Sequence, residues 1–447
     1  MLYRNALPGL RAALADTPVV LLHGARQTGK TTLTRAIAAE QPERRYLTLD
    51  DTTVLAAALA NPAGLIAGLD GPVVIDEVQR APGLFLAIKA EVDRKRTPGR
   101  YLLTGSANVL LVPKVSESLA GRVELITLWP LSQAEIEGRA EHFVDAAFGV
   151  NMPVLGAFAT KKPEIDIIAR IVRGGYPEPL TRPAGSRQSA WFASYLTTIL
   201  QRDVRDLANI DGLADFPKLL GLIASRTSGL LNFSDLSRSL SMPQSTLKRY
   251  FALLEATFLV VTLPAWSNNQ GLRLAKAPKV MLADTGLACH VLGTDAARLK
   301  VDGSARGALL ENFIAMELNK QIGWSNTRPK LYHFRTTAGR EVDLVLEDAA
   351  GRVVGIEIKA STSVNSGAFA GLRVLREAAG SKFVRGIVLH DGAETVPFEK
   401  DLAAVPLAAV WQQVAGRELA GFGESNPVPG ESNPVPGESI PSPRRNR

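Results

Sequence analysis

The chain has 447 residues, enough for about three domains of ordinary size, and its apolar fraction of 46% is that of a globular protein with buried cores. Its one cysteine, Cys289, excludes an internal disulfide and fits a reducing compartment. The net charge of +7 sits in the folded part, because Glu424, Glu431 and Glu438 of the tail balance Arg444, Arg445 and Arg447; it permits nucleic-acid contact without establishing it. Arg4, Arg11 and Asp16 near the start argue against a secretory signal, and no apolar run approaches the ~20 residues of a membrane span. A soluble, cytoplasmic chain with no membrane partner is expected.

The first strong stretch begins with the apolar run Pro18-Val19-Val20-Leu21-Leu22 and passes into Gly24-Ala25-Arg26-Gln27-Thr28-Gly29-Lys30-Thr31-Thr32. A helix-like run, Leu33 to Ala39, leads out. The pattern GxxxxGK[ST] is matched by Gly24, Gly29, Lys30 and Thr31, in the strand–loop–helix context that a phosphate-binding loop needs. Glycines let backbone N–H groups turn inward around phosphate oxygens, and the following helix adds its positive end. Lys30 reaches the β- and γ-phosphates and Thr31 binds magnesium in such a site, so ATP and Mg2+ are the expected cofactors. A Gly-rich turn matching by accident would not bring the strand, the helix and all the fixed residues together.

Pro72-Val73-Val74-Ile75 then ends in Asp76-Glu77, as a buried parallel strand ends at a site. Following a P-loop, this reads as a Walker B strand, with Asp76 on the metal and Glu77 polarising the attacking water. A third strand, Arg100 to Thr104, ends in Gly105-Ser106-Ala107-Asn108. Thr104 or Ser106 could sense the γ-phosphate there; Ser106 or Asn108 could equally cap a helix.

GARQTGKTT, VVIDEVQ, LLTGSAN, SLAGRVE and WPLSQAE, in this order, resemble the bacterial and archaeal AAA-type ATPases that carry a C-terminal domain of unknown function. The resemblance extends to about residue 410. It implies an α/β P-loop NTPase core with a parallel sheet over 1–140, and it makes Arg122 a candidate arginine finger for the γ-phosphate. A surface or structural ion pair is the alternative for Arg122. A homo-oligomer is compatible with either.

Residues 141–212 read as a helical lid or connector, in which Arg173, Arg202 and Arg205 receive no role. In 213–275, Phe216 to Ala224, Phe233 to Leu240 and Gln244 to Leu259 read as helices, with a turn at Ser241-Met242-Pro243 and a strand after them. That order resembles a winged helix-turn-helix. Gln244, Ser245, Lys248 and Arg249 lie on the exposed face of its third helix and are the candidate DNA contacts. An interaction module or a spacer is the competing reading.

Residues 276–410 read as an α/β domain: Lys279 to Asp284 as a strand, Gly307 to Ile322 as a helix with Glu311 at the margin of its apolar stripe, then the run Leu331 to Arg335 and strands at Glu341 and Val353. Charged side chains at Glu357 and Lys359, inside an apolar strand, are costly unless paired or serving a site. Asp343 followed by Glu357-Ile358-Lys359 resembles the D…ExK signature of the PD-(D/E)xK nuclease-like fold, with Val342 replacing its proline. The resemblance implies that Asp343 and Glu357 hold magnesium, that Glu311 assists and that Lys359 orients a water. An exposed hairpin with a surface ion pair, or the same fold used as a binding platform, are the alternatives. The tail, 411–447, repeats GESNPVP and is expected to be disordered.

The chain is therefore expected to be a magnesium-dependent ATPase coupled to DNA binding or processing. The alternative is a nucleotide-dependent switch or scaffold whose C-terminal half binds a protein partner.

Overall fold

The computed structural model describes residues 3–106, 120–149, 166–204 and 215–412, all within one compact unit, Met1–Val414. The repeated tail lies outside these residues, as do Ala107, Asn108, Ser118, Leu119 and Arg205.

Five parallel strands form the N-terminal sheet: β1 (Val19–His23), β2 (Arg45–Thr48), β3 (Val73–Asp76), β4 (Tyr101–Gly105) and β5 (Val123–Thr127), in the order β2-β3-β4-β1-β5. The inner strands β1, β3 and β4 are buried throughout, which explains their unbroken apolar runs. Alternate residues feed two cores. Val19, Leu21, Val73, Ile75 and Leu103 pack on one face with Leu84, Phe85 and Ile88 of the helix Gly83–Arg94. Val20, Leu22, Val74 and Leu102 pack on the other with Leu10 and Leu14 of Ala6–Asp16 and with Leu33 and Ile37 of Lys30–Glu40. The period of two in a pleated strand makes this a doubly covered α/β sheet, the P-loop NTPase architecture. Because β4 lies between β1 and β3, Thr104, at register with Leu22, separates the P-loop strand from the Walker B strand.

The third helix of the middle region, Gln244–Ala256, buries Leu247, Tyr250, Phe251 and Leu254 against Phe216–Ser225 and Phe233–Leu240. After it come β6 (Val260–Leu263) and β7 (Lys279–Leu282), which pair antiparallel, with Leu263 opposite Lys279. The strand at Lys279, placed by sequence in the C-terminal domain, thus pairs with the strand of the helical middle. The connection between β6 and β7 is sealed onto the next domain: Trp266 N–H donates to His333 O (2.6 Å), and His333 N–H donates to Pro264 O (3.0 Å).

The C-terminal sheet is mixed, in the order β12-β13-β11-β10-β9-β8, with β8 (Lys330–Arg335), β9 (Glu341–Glu347), β10 (Val353–Lys359), β11 (Phe383–His390), β12 (Val396–Glu399) and β13 (Leu402–Pro406). The helix Gly303–Ile322 covers Leu344, Ile356 and Leu389 on one face; Ala370–Ala379 covers Val345, Val353 and Val388 on the other. The domain is α/β.

Candidate functional site

The P-loop owes its shape to two backbone positions. Gly24 has φ +146°, and a Cβ there would lie 2.3 Å from Leu128 O, so no side chain fits. Gly29, φ +96°, caps the helix Lys30–Glu40 without a side-chain bond, leaving the first-turn N–H groups to face a ligand. Lys30 is buried, and its ammonium donates to the loop's own carbonyls, Gly24 O (2.9 Å) and Ala25 O (2.7 Å). Thr28 Oγ1 donates to Ala25 O (3.0 Å), and Gln27 adopts a left-handed φ of 60°. Of the remaining loop residues, Arg26 is half-buried, and Thr32 is exposed on the first turn.

The hydroxyl of Thr31 meets the carboxylate of Asp76 at 3.1 Å. Asp76 also accepts from Thr104 Oγ1 and, at 2.8 Å, from Tyr46 OH. Three neutral hydroxyl donors thus surround a buried carboxylate. Burial and the Asp76 bond push the Tyr46 phenol up to about 12, so it stays a donor. Thr104 further accepts from Glu77 N–H (3.0 Å). Glu77 sits at φ 61°, and Gln79 Nε2 donates both to its carboxylate and to Ser106 Oγ (2.9 Å). The chain thus brings Lys30, Thr31, Asp76, Glu77 and Thr104 together at the carboxyl end of the sheet.

Arg122 is not brought to this pole. β5 runs parallel to β1 with Val123 opposite Val19, so Arg122 lies at the amino end, about 13 Å or more down the strand from the P-loop. There it pairs with Asp93 at 2.5 Å. A finger acting on the same chain's nucleotide is corrected by this placement.

Residues outside the motifs brace the loop. Arg4 donates to Thr28 O (3.1 Å) and Trp129 O (2.8 Å) while paired with Glu135 at 3.4 Å. Tyr195 OH reaches Arg26 O (3.4 Å). Phe258, two residues past the helix Gln244–Ala256, packs edge-on against His23 (5.3 Å between centroids) and against Trp129 (5.6 Å). Burial, then the nearby Lys30 charge, pushes the His23 imidazole down to about 4, so it stays neutral. The residue that precedes the P-loop is therefore in contact with the end of the candidate DNA-facing helix. On that helix Gln244, Ser245, Lys248 and Arg249 are all exposed. The Lys248 ammonium lies 5.8 Å over the Phe233 ring, and Gln244 donates to Ser234 Oγ (3.2 Å).

The C-terminal acids also converge, but around a lysine. Lys279 of β7 pairs with Glu311 at 2.6 Å and approaches Asp343 at 3.9 Å. The other Asp343 oxygen accepts Ile358 N–H (2.8 Å), just beyond the last β9–β10 pair, Leu344 with Ile356. Lys359 pairs with Glu357 at 2.8 Å, and Glu357 Oε2 is buried without a hydrogen-bond partner. Burial, then the Asp343 charge, pushes Glu311 up to about 8 and Glu357 up to about 7. Burial pulls the Lys279 pKa down, but Glu311 and Asp343 outweigh it and hold the ammonium charged. Among the described residues, no group of three or more His, Cys, Asp or Glu side chains is arranged to hold a metal ion. The magnesium expected at Glu311, Asp343 and Glu357 therefore does not fit this arrangement, because an ammonium stands between two of the three acids.

Tyr46, Gln79, Arg4 and Lys279 escaped the sequence reading. Tyr46 and Arg4 lie in no motif, and only the strand order brings Tyr46 beside β3. Lys279 did carry a signal, as a lysine opening an apolar strand. No helix among the described residues is long and apolar enough to cross a membrane.

Residues 16–137 match an AAA domain, 164–298 a domain of unknown function (DUF8612) and 306–410 a second one (DUF4143). The uncharacterized proteins Rv2008c of Mycobacterium tuberculosis (strain ATCC 25618 / H37Rv) and Mb2031c of Mycobacterium bovis (strain ATCC BAA-935 / AF2122/97) are each 34% identical over 406 residues, 90% of this chain and 83% of theirs. The Walker-type ATPase PABY2304 of Pyrococcus abyssi is a distant structural likeness, with 15% identity and a TM-score of 0.39 over 65% of this chain and 96% of its own. The RuvB Holliday junction branch migration motor of Thermotoga maritima is more distant, with 18% identity and a TM-score of 0.28 over 58% and 89%. Neither likeness bears on function. The identity along nearly the whole length and the matched AAA domain settle the kinship: the chain belongs to the family of these mycobacterial proteins and is an AAA-type P-loop protein.

Proposed function

We propose that the chain hydrolyses ATP with magnesium and couples the nucleotide to DNA contact. The observation that carries the reading is the Thr31–Asp76 pair, 3.1 Å apart behind the P-loop, with Asp76 otherwise held by hydroxyls. This donor set fits a hard cation, which Thr31 and Asp76 would hold and which would neutralise phosphate charge when bound. The residues of Gly24 to Thr32 would wrap the phosphates through backbone N–H groups. Lys30 would exchange its loop carbonyls for phosphate oxygens, and Thr104 would fix the Asp76 carboxylate. Glu77 would orient the attacking water once released from Gln79. Arg122, remote from its own site, would serve only a neighbouring copy.

The link to DNA rests on Phe258. It touches His23 and Trp129 at the root of the P-loop, and the helix before it exposes Gln244, Ser245, Lys248 and Arg249. A shift of the loop on nucleotide binding would therefore tilt a polar and basic helix suited to a groove. In a phosphate-release assay, Asp76→Asn should lose hydrolysis. In fluorescence anisotropy with duplex DNA, wild type should bind with salt-sensitive affinity and Lys248→Glu/Arg249→Glu should not. Unchanged DNA affinity in the double variant would exclude this face.

A second reading is favoured by the lysine among the C-terminal acids: a nucleotide-dependent switch or scaffold that engages a protein partner without cutting DNA. Incubating wild type and Asp343→Ala with DNA, ATP and magnesium or manganese separates the two. Cleavage by wild type alone would assign Asp343, Glu357 and Lys359 to a nuclease centre.

A further inference from the structure

The segment Leu128–Gln133 leaves β5 and runs from the root of the P-loop to the helix Gly303–Ile322 of the C-terminal half. Its first residue is tied to the strand before the loop, where Leu128 N–H donates to His23 O (2.7 Å). Trp129 O accepts from Arg4 (2.8 Å), and a second guanidinium nitrogen of Arg4 donates to Thr28 O of the P-loop (3.1 Å). Two residues on, Leu131 O accepts from the Lys320 ammonium (3.0 Å). Gln133 N–H donates to Glu317 (2.8 Å), and Ser132 N–H donates to Glu135 (3.1 Å). Each cation has its own acid: Arg4 pairs with Glu135 at 3.4 Å and Lys320 with Glu317 at 2.7 Å, and none of the four side chains is more than 7% exposed.

The two clamps are built alike. In each, a buried cation bonds a carbonyl of the strap and is neutralised by a carboxylate that accepts a strap N–H. They differ in what stands behind them. Arg4 holds the P-loop, and Lys320 belongs to a 20-residue helix that covers the C-terminal sheet. Pro130, between the two clamped carbonyls, fixes its own φ and stiffens the strap. A buried ion pair adds little net stability, but parting it is costly, so each end of the strap is held in one geometry.

We propose that this doubly clamped strap couples the nucleotide site to the C-terminal half, with Arg4 and Lys320 as positioning residues at its two ends. The proposal rests on the reading of the P-loop as an ATP site. A phosphate that draws Lys30 off Gly24 O and Ala25 O reshapes the loop whose Thr28 carbonyl Arg4 holds. The strap shifts with Arg4, and Lys320 and Glu317 carry the shift into their helix. By linkage, a partner of the C-terminal half that senses this shift changes nucleotide affinity by the same factor as nucleotide changes its own.

Fluorine NMR of the full chain labelled with 5-fluorotryptophan tests the coupling. Trp129 lies in the strap and Trp324 lies one turn past Lys320; Trp129→Phe and Trp324→Phe assign their signals. With magnesium and the non-hydrolysable analogue AMP-PNP, both signals should shift in wild type. Lys320→Met/Glu317→Gln removes the C-terminal clamp without leaving a buried charge unpaired. There the Trp129 shift should remain and the Trp324 shift should be lost. Should that variant fail to fold, Gln133→Pro carries the same test, because proline is tolerated at the first helical position and deletes the N–H that Glu317 accepts. Arg4→Lys keeps the charge but has no planar fork to span two carbonyls, and both shifts should shrink. A Trp324 shift of wild-type size in a folded clamp variant would overturn the proposal. So would a silent Trp324 in wild type while calorimetry shows the analogue bound. Absence of binding heat in wild type would sink the nucleotide reading itself, and the coupling with it.

Discussion

The carboxylates of Asp76 and Asp343 both belong to strands, β3 and β9, are both buried and both have lysines nearby, yet their surroundings differ in kind. Asp76 receives hydroxyls from Thr31, Thr104 and Tyr46, while Lys30 turns to the carbonyls of its own loop. Asp343 has the Lys279 ammonium within 3.9 Å and spends its second oxygen on a backbone N–H. Neutral donors orient a carboxylate without cancelling its charge, the setting in which Asp76 is proposed to hold a cation. An ammonium among carboxylates cancels charge on the spot and becomes part of the fold. Similar sequence logic, an acid at a strand with a lysine near it, thus gives a carboxylate held by hydroxyls in one place and an ion-paired joint in the other.

The contrast is broken most directly at the two lysines. Lys30→Ala should weaken ATP binding by on the order of 100-fold or more, since losing one partner of a buried charged contact costs roughly 2–5 kcal/mol, with little change in melting temperature. Lys279→Met should do the reverse. ATP affinity should hold, while stability in denaturant melts should fall, because the buried Lys279–Glu311 pair that joins β7 to the C-terminal helix is lost. If Lys279→Met instead spared stability and removed ATP binding, the two centres would have been assigned the wrong way round.

Phe258→Ala sharpens the link between the regions. Removing a buried aromatic costs about 3 kcal/mol, and the effect on DNA affinity with and without ATP should be greater than that of Leu247→Ala, a core change on the same helix away from His23. Equal effects from the two would leave Phe258 a packing residue only.

The smallest expected effect is with pH. His23 and His333 are each held down to about 4, by burial first and a lysine charge second. Their unfolded pKa is about 6.5, so the unfolded chain takes up more protons between these values. The stability these rings contribute is present above pH 6.5 and is lost as pH falls towards 4. Thermal melts from pH 7 to 4.5 should show a shallower fall for His23→Gln than for wild type.

What the sequence made legible follows the reach of its signals. The P-loop and the Walker B strand are local patterns, and Lys30, Thr31 and Asp76 meet as their spacing implied. Thr104 was a weaker inference, and its reason appears only once β4 is seen between β1 and β3. Tyr46 was invisible because a parallel neighbour thirty residues away leaves no local pattern. Arg122 stayed open between a finger and an ion pair because a motif gives no pole of the sheet, whereas the direction of β5 does. Lys279 was assigned to the C-terminal domain because strand pairing, unlike periodicity, is not written in the strand itself. The acids Glu311, Asp343 and Glu357 were found as a group, but their occupant came from another stretch of chain.

Nucleotide titration tests the central claim most directly. Isothermal titration of magnesium-ATP into wild type, Lys30→Ala and Asp343→Asn should give one site per chain, lost in the first variant and intact in the second. Heat of equal size and affinity in Lys30→Ala and wild type would place the nucleotide elsewhere and contradict the account.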